Sequence, residues 1–320
     1  MRRRFAVGAC VLVLAAGIAF AMKWGRPSAK VRAERAVAAR RWTEAAALYE
    51  QHLRLRPADH AARVALGALV KSTDARRAVA LLEAVPPAAP EYLAAQRHIA
   101  DITLSVGDDP RAQQALLVLL RNAPDDYAVR LSLAELYYRQ KRPKEALPQA
   151  LRCAELKPDR AQTWLLIADI YDDLGHPNEM IVPLHRALEL DPQLAAAHLN
   201  LCYALVWSGA TAEGRQEAEW CLARDPAGVA ARRLLAMCER DEGRPEEALV
   251  EIRRALQSAP DDLECRIVEA QLLLFLHRGN EAQRRLQPLL ARHPDDRRLQ
   301  TLAARAAAAS DRQDAAATSP

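Results

Sequence analysis

His198 and Cys202 stand four residues apart, with Cys221 further along. On a helix the first two would share a face, which is how a metal site begins. Both fall at recurring packing positions, however, and no fourth ligand accompanies them, so a metal is not expected. His176 reads as a turn residue and His185 as a surface helix residue. None of Cys10, Cys153, Cys202, Cys221, Cys238 and Cys265 forms a C-x-x-C pair; those in helical positions read as small buried hydrophobes rather than as a disulfide framework. The chain has no phosphate-cradling glycine loop, no H-E-x-x-H, no C-x-x-C-H and no nucleophile elbow. Neither a catalytic residue nor a cofactor is expected. Asp169, Asp172 and Asp173 form an acidic spot, Tyr203 and Trp207 are one turn apart, and Arg233 and Arg240 follow. Tyr138 and Phe275 flank the series.

These residues sit within a strict repeat. Pro124, Pro158, Pro192, Pro226, Pro260 and Pro294 succeed one another at intervals of 34 residues, a period that two helices fill. Ala100, Ala134, Ala168, Ala236 and Ala270 keep the same beat, with Cys202 in the gap. Ala112, Ala146, Ala248 and Ala282 form a second column, interrupted by Met180 and Gly214, and Gly107, Gly175, Gly209 and Gly243 a third, with Lys141 as its exception. Small residues let paired helices approach closely. The closing prolines cannot continue a helix, and Asp125, Asp159, Asp261 or Asp295 beside them can cap the next one. Pro143, Pro177 and Pro245 open second helices, where a missing N–H costs nothing. Pro148, Pro183 and Pro288 lie deeper, and Pro288 should kink or fray its helix. Half of the residues are hydrophobic but only 5% aromatic, and no stretch alternates like a strand, so the fold class is all-α.

Residues 161–194 are the clearest unit. Trp164, Ile167, Ala168 and Tyr171 fall at helical spacing, Gly175-His176-Pro177 makes a turn, Met180, Leu184 and Ala187 line a second helix, and Pro192 closes it. This pattern resembles the tetratricopeptide repeat (TPR). Residues 127–160 match it through Leu133-Ala134, Tyr137, Ala146 and Pro158, and residues 229–262 through Leu235-Ala236, Gly243, Ala248, Ala255 and Pro260. Residues 195–228 carry Gly214 where Ala is usual, and residues 263–296 carry Glu269 where an apolar residue is expected. The resemblance implies a right-handed α-solenoid of about eight helix pairs: two degenerate repeats over 31–92, six regular ones over 93–296, a capping helix over 297–309 and a disordered tail over 310–320.

It also implies that the first helices of the pairs line a concave groove. By register those residues are Leu131, Glu135 and Tyr138; Leu165, Asp169, Asp172 and Asp173; Leu199, Tyr203 and Trp207; Arg233, Met237 and Arg240; and Ile267, Leu274 and Phe275. Groove binding stands beside the plainer reading that these are packing and solvated faces. Scaffold packing accounts for Leu165 and Leu199; Tyr203, Trp207 and Phe275 fit a core less well. The family's carboxylate clamp needs Lys and Asn at Leu131, Glu135 and Leu165, which lack them. The implied function is a non-enzymatic protein–protein interaction scaffold that binds a client protein or an extended peptide. The alternative is a regulatory or assembly subunit of an envelope enzyme system, such as polysaccharide export or cytochrome maturation.

The formal charge of +4 conceals a division. Residues 1–60 carry 12 Lys and Arg against 4 Asp and Glu, and the remainder 33 against 37. A slightly acidic array argues against a nucleic-acid partner. The basic end surrounds Phe5–Met22, an apolar run without a charge. It reads as a signal-anchor or a signal peptide over residues 1–22, followed by a linker over 23–30. Ala19-Phe20-Ala21 would suit cleavage, whereas Lys23 and Arg26 oppose it. Arg2, Arg3 and Arg4 favour the cytoplasmic side, but so do Lys23, Arg26, Lys30, Arg32 and Arg35 on the other flank, so a cytoplasm-facing array and a cleaved, secreted one stay open. Very short basic heads of this form start signal-anchors whose body is exported, and the expectation is an uncleaved anchor with the repeats in the periplasm.

Overall fold

The computed structural model describes residues 27–318, with side chains through Ser310. Phe5–Met22 lies outside the described residues; among those described, no helix is long and apolar enough to cross a membrane. The described chain forms seventeen helices and no strand. It divides into two compact units that part after Leu136.

The first unit holds α1 (Ala29–Ala38), α2 (Trp42–Leu55), α3 (His60–Val70), α4 (Ala75–Glu83), α5 (Tyr92–Val106), α6 (Asp109–Asn122) and most of α7 (Tyr127–Arg139). The second holds α8 (Pro143–Leu156), α9 (Ala161–Asp173), α10 (Pro177–Leu190), α11 (Ala195–Ser208), α12 (Thr211–Arg224), α13 (Val229–Asp241), α14 (Pro245–Ser258), α15 (Leu263–Phe275), α16 (Gly279–Arg292) and α17 (Arg297–Thr318). Odd-numbered helices open each pair and even-numbered ones close it.

The small-residue columns are the pair interfaces. Ala134, Ala168, Cys202, Ala236 and Ala270 are fully buried, as are Ala112, Ala146, Ala248 and Ala282. Each odd helix from α5 to α15, and α1 before them, stops in the same way. One or two residues beyond its end the backbone turns left-handed, and two backbone N–H groups fold back on the last turn: Gly175 to Asp172 and His176 to Tyr171 at 2.8 and 2.9 Å, for example. Gly107, Gly175, Gly209 and Gly243 take that conformation, and so do Arg40, Lys141 and His277 at φ 57°, 55° and 58°.

A second device recurs at the other end of the odd helices. Six residues after a closing proline, a side-chain N–H donates to that proline's carbonyl. Trp164 Nε1 reaches Pro158 at 2.9 Å, His198 Nε2 reaches Pro192 at 3.1 Å, and Gln300 Nε2 reaches Pro294 at 2.7 Å. Arg63, Arg130, Arg232 and Arg266 do the same to Pro57, Pro124, Pro226 and Pro260. The residue type changes while the donor persists, tying each inter-repeat turn to the helix that follows it.

Several details differ from the sequence expectations. The capping aspartates are one residue along. Asp126, Asp262 and Asp296, each one residue after the expected aspartate, accept helix N–H groups, because the turn after each proline consumes two residues. Before α9, Arg160 occupies the cap position without a side-chain bond, so Asp159 does not serve there. Helix α1 begins at Ala29, inside the expected linker, because Ser28 accepts the N–H of Val31. Helix α16 runs unbroken across Pro288. Helix α17 continues to Thr318 rather than giving way to a disordered tail after 309; its alanine-rich sequence has high helix propensity and meets no Gly or Pro before Pro320. Glu269, in an apolar position, is 1% exposed and faces Arg266 at 3.2 Å and Arg285 at 3.7 Å.

Candidate functional site

In the second unit α11, α13, α15 and α17 present their equivalent faces to a cleft of about 720 Å³. Tyr203 and Trp207 of α11 wall it, with Met237 of α13 and Ile267 of α15 on its floor. Leu234 and Val268, also in the lining, belong to the buried repeat cores. Trp207 is 60% exposed and meets Tyr203 edge-on, ring centres 6.1 Å apart. A large aromatic held open by a second ring is a ready anchor for apolar ligand surface. Arg233 and Arg240 line the same cleft.

The acidic spot adjoins this wall. Burial first, and the neighbouring Asp172 carboxylate second, raise the pKa of the Tyr203 phenol. Asn200 Nδ2 donates to Asp169 Oδ1 at 2.8 Å. Burial, reinforced by Asp172, pushes the Asp169 carboxyl up to about 6. Lys141 Nζ lies 3.1 Å from both carboxylate oxygens of Asp173 and 5.4 Å from the centre of the Tyr138 ring. Burial, then Asp169 and Asp173, raise the Tyr138 pKa in turn. Of the three acids, Asp173 is ion-paired with Lys141 and Asp169 accepts from Asn200.

Of the expected groove residues, Tyr203, Trp207, Arg233 and Arg240 come together in the cleft, and Tyr138, Asp169, Asp172 and Asp173 form the adjoining patch. Phe275 does not join them: it is 57% exposed at the end of α15 and lies outside the cleft lining. Leu165 and Leu199 pack against the buried clusters. Leu131 and Glu135 belong to the first unit. His198 is committed elsewhere. Its ring nitrogens face Pro192 and Glu217, and it stacks on Trp220 with centres 3.5 Å apart. Among the described residues no cluster of three possible metal ligands occurs.

Family profiles described as tetratricopeptide repeat match residues 99–163 and 203–262, residues 161–194, and residues 239–306, together well over half of the chain. The protein belongs to the tetratricopeptide-repeat family. No curated protein sequence matches it. Solved TPR structures do. PilW, described as a widely conserved type IV pilus biogenesis factor, is 20% identical with a TM-score of 0.54, over 67% of this chain and 99% of that one. YrrB, described as a TPR protein with an unusual peptide-binding site, is 18% identical with a TM-score of 0.51, over 53% and 88%. A TPR protein from Parabacteroides merdae is 14% identical with a TM-score of 0.54, over 77% and 98%. At these identities the likeness shows the fold.

The arginines of α17 escaped sequence reasoning, because a helix taken for a cap was not given the groove register. Extending the 34-residue period one step from Ile267 and Gln271 reaches Thr301 and Arg305, and both line the cleft. Lys141 was hidden differently. It stood out only as an exception in the glycine column, yet it holds Asp173.

Proposed function

We propose that this TPR protein is a non-enzymatic interaction scaffold whose second unit seats an extended segment of a client along α11, α13, α15 and α17. One observation carries the reading: Trp207, 60% exposed, stands with Tyr203 over a preformed cleft rather than in a core. The peptide-binding site in YrrB's description agrees with it. The scaffold's setting is proposed to be the cell envelope, with Phe5–Met22 as an uncleaved anchor and the repeats in the periplasm. That part rests on the apolar run and its basic flanks.

Trp207→Ala tests the groove. Truncating a central aromatic anchor typically costs ~2 kcal/mol or more of binding energy, about thirtyfold in affinity. Since the ring is largely exposed in the free protein, helicity and melting temperature should hardly move. The measurement is titration of a captured client against wild type and variant, with circular dichroism as control. Unaltered affinity for Trp207→Ala, with loss from substitutions on the even-numbered helices, would place the client on the opposite face.

A further inference from the structure

Resting on that groove reading, we infer that the segment seated over Tyr203 and Trp207 carries side-chain carboxylates, and that the arginines of α17 receive them. The charge of the cleft is the ground for this. Five arginines line it against two carboxylates, Asp241 and Glu264. Both carboxylates are already engaged: Asp241 accepts from Arg240 at 2.7 Å, and Glu264 accepts from Arg298 at 2.9 Å with Arg233 at 3.9 Å. Positive charge is left over, and it is concentrated on one helix. Arg297, Thr301 and Arg305 recur at i, i+4 and i+8 on the cleft side of α17, all exposed. A guanidinium fork binds a carboxylate through two parallel hydrogen bonds, so such a row recognises acidic side chains with direction as well as charge.

The acidic spot at the other end is a weaker counter-claim than its three aspartates suggest. Asp173 is held by Lys141, Asp169 accepts from Asn200 and is desolvated, and Asp172 lies beside the Tyr203 ring. A basic client segment would have to displace those partners, while an acidic one finds Arg297 and Arg305 of α17 exposed on the cleft; Arg298 is already paired with Glu264 and Asp296. Between the two ends the floor of Met237 and Ile267 supplies the apolar contact. The ligand class is therefore an extended segment with an apolar or aromatic residue for the Trp207 wall and Asp or Glu residues toward α17.

Three short fluorescein-labelled peptides, each acetylated and amidated so that no terminal charge contributes, share a central Leu-Phe-Leu flanked by Glu, Gln or Lys. Titrated with the whole protein at low ionic strength, the Glu peptide should bind about tenfold tighter than the Gln peptide, the range of one or two charge-assisted hydrogen bonds. The Lys peptide should bind most weakly, and the differences should shrink as salt rises. Arg297→Gln with Arg305→Gln should abolish the preference of Glu over Gln while leaving Gln-peptide binding in place, and Trp207→Ala should weaken both. Tightest binding by the Lys peptide, or equal binding by all three, with dependence on Trp207 retained, overturns the acidic assignment and leaves the groove reading standing. Binding of all three that ignores Trp207→Ala overturns the groove reading as well.

Discussion

Arg40, Lys141 and His277 show how far the repeat controls a single residue. All three occupy the column where Gly107, Gly175, Gly209 and Gly243 stand, and all three adopt the same left-handed backbone. An L side chain pays for that conformation, whereas glycine enters it freely. The fold evidently dictates the turn, since the two backbone hydrogen bonds that close it are kept: Arg40 to Val37 at 2.9 Å and Arg41 to Ala36 at 2.8 Å. Arg40→Gly should accordingly stabilise the protein by about 0.5–1 kcal/mol, the left-handed strain less the extra entropy glycine loses on folding. Thermal denaturation should show a melting point a few degrees higher; a lower one would mean that the Arg40 side chain contributes more than its backbone costs. Gly175 at this position was legible in the sequence because glycine has a distinctive reason to be there. Arg40 and His277 were not, because nothing in an arginine or a histidine announces positive φ. The donors to the proline carbonyls were illegible for the opposite reason. Trp164, His198, Arg232 and Gln300 share only an N–H, and a reading by residue type keeps them apart.

At the scale of helices, close approach decides which small residues matter. Gly214 in α12 and Gly279 at the start of α16 look alike in sequence, each replacing a commoner residue of its column. Their surroundings differ. A Cβ at Gly214 would meet the Cys202 carbonyl, the Cys238 sulfur and the Leu205 Cβ, each at 3.4 Å, which is contact without collision. At Gly279 it would lie 2.7 Å from the Ala309 carbonyl carbon and the Ser310 nitrogen. Both are backbone atoms of α17, where Ser310 is buried and donates its hydroxyl to Asn280. Gly214→Ala should stabilise by about 0.5–1 kcal/mol, the usual gain from removing a helical glycine. Gly279→Ala should instead loosen α17 from α16, with overpacking costs of about 1–3 kcal/mol. Amide exchange would locate that loss in the second half of α17. Equal behaviour of the two variants would show that α17 does not pass so close. The alternation of helices, their pairing and their order were all readable from the prolines and alanines. The reach of α17 was not, because Ser310, Asp311 and Asp314 suggest a polar tail, although its alanines favour a helix and Gly279 and Asn280 meet it at Ala309 and Ser310.

Over the whole molecule the chain separates two chemistries by position. Its first 60 residues hold 12 basic against 4 acidic residues around the uncharged Phe5–Met22, and the rest holds 33 against 37. The repeats bury their apolar columns against one another, and among the described residues large hydrophobics left exposed include Leu55 in the first unit and Val182 and Trp207 in the second. If residues 5–22 alone hold the protein to a membrane, removing them should release a folded array, provided the cut respects the first helix pair. Ser28 caps α1, and Lys30 Nζ lies 2.9 Å from Asp59. Asp59 in turn accepts from the N–H of Ala62 and lies 2.9 Å from His52 Nε2; these partners hold its carboxyl well below the usual range despite the opposing effect of burial. A truncation that takes residues 1–30 therefore strips a cap and an ion pair together, and its instability would be mistaken for a need for the anchor. Removing residues 1–26 spares both. The shorter deletion should give a strongly helical protein in the supernatant after membrane sedimentation, melting like the full chain, while the full chain stays with the membranes through a salt wash and yields only to detergent. Continued sedimentation of the shortened protein after the wash would mean that the repeats themselves, or a bound partner, hold the membrane. The single-anchor reading would then be abandoned.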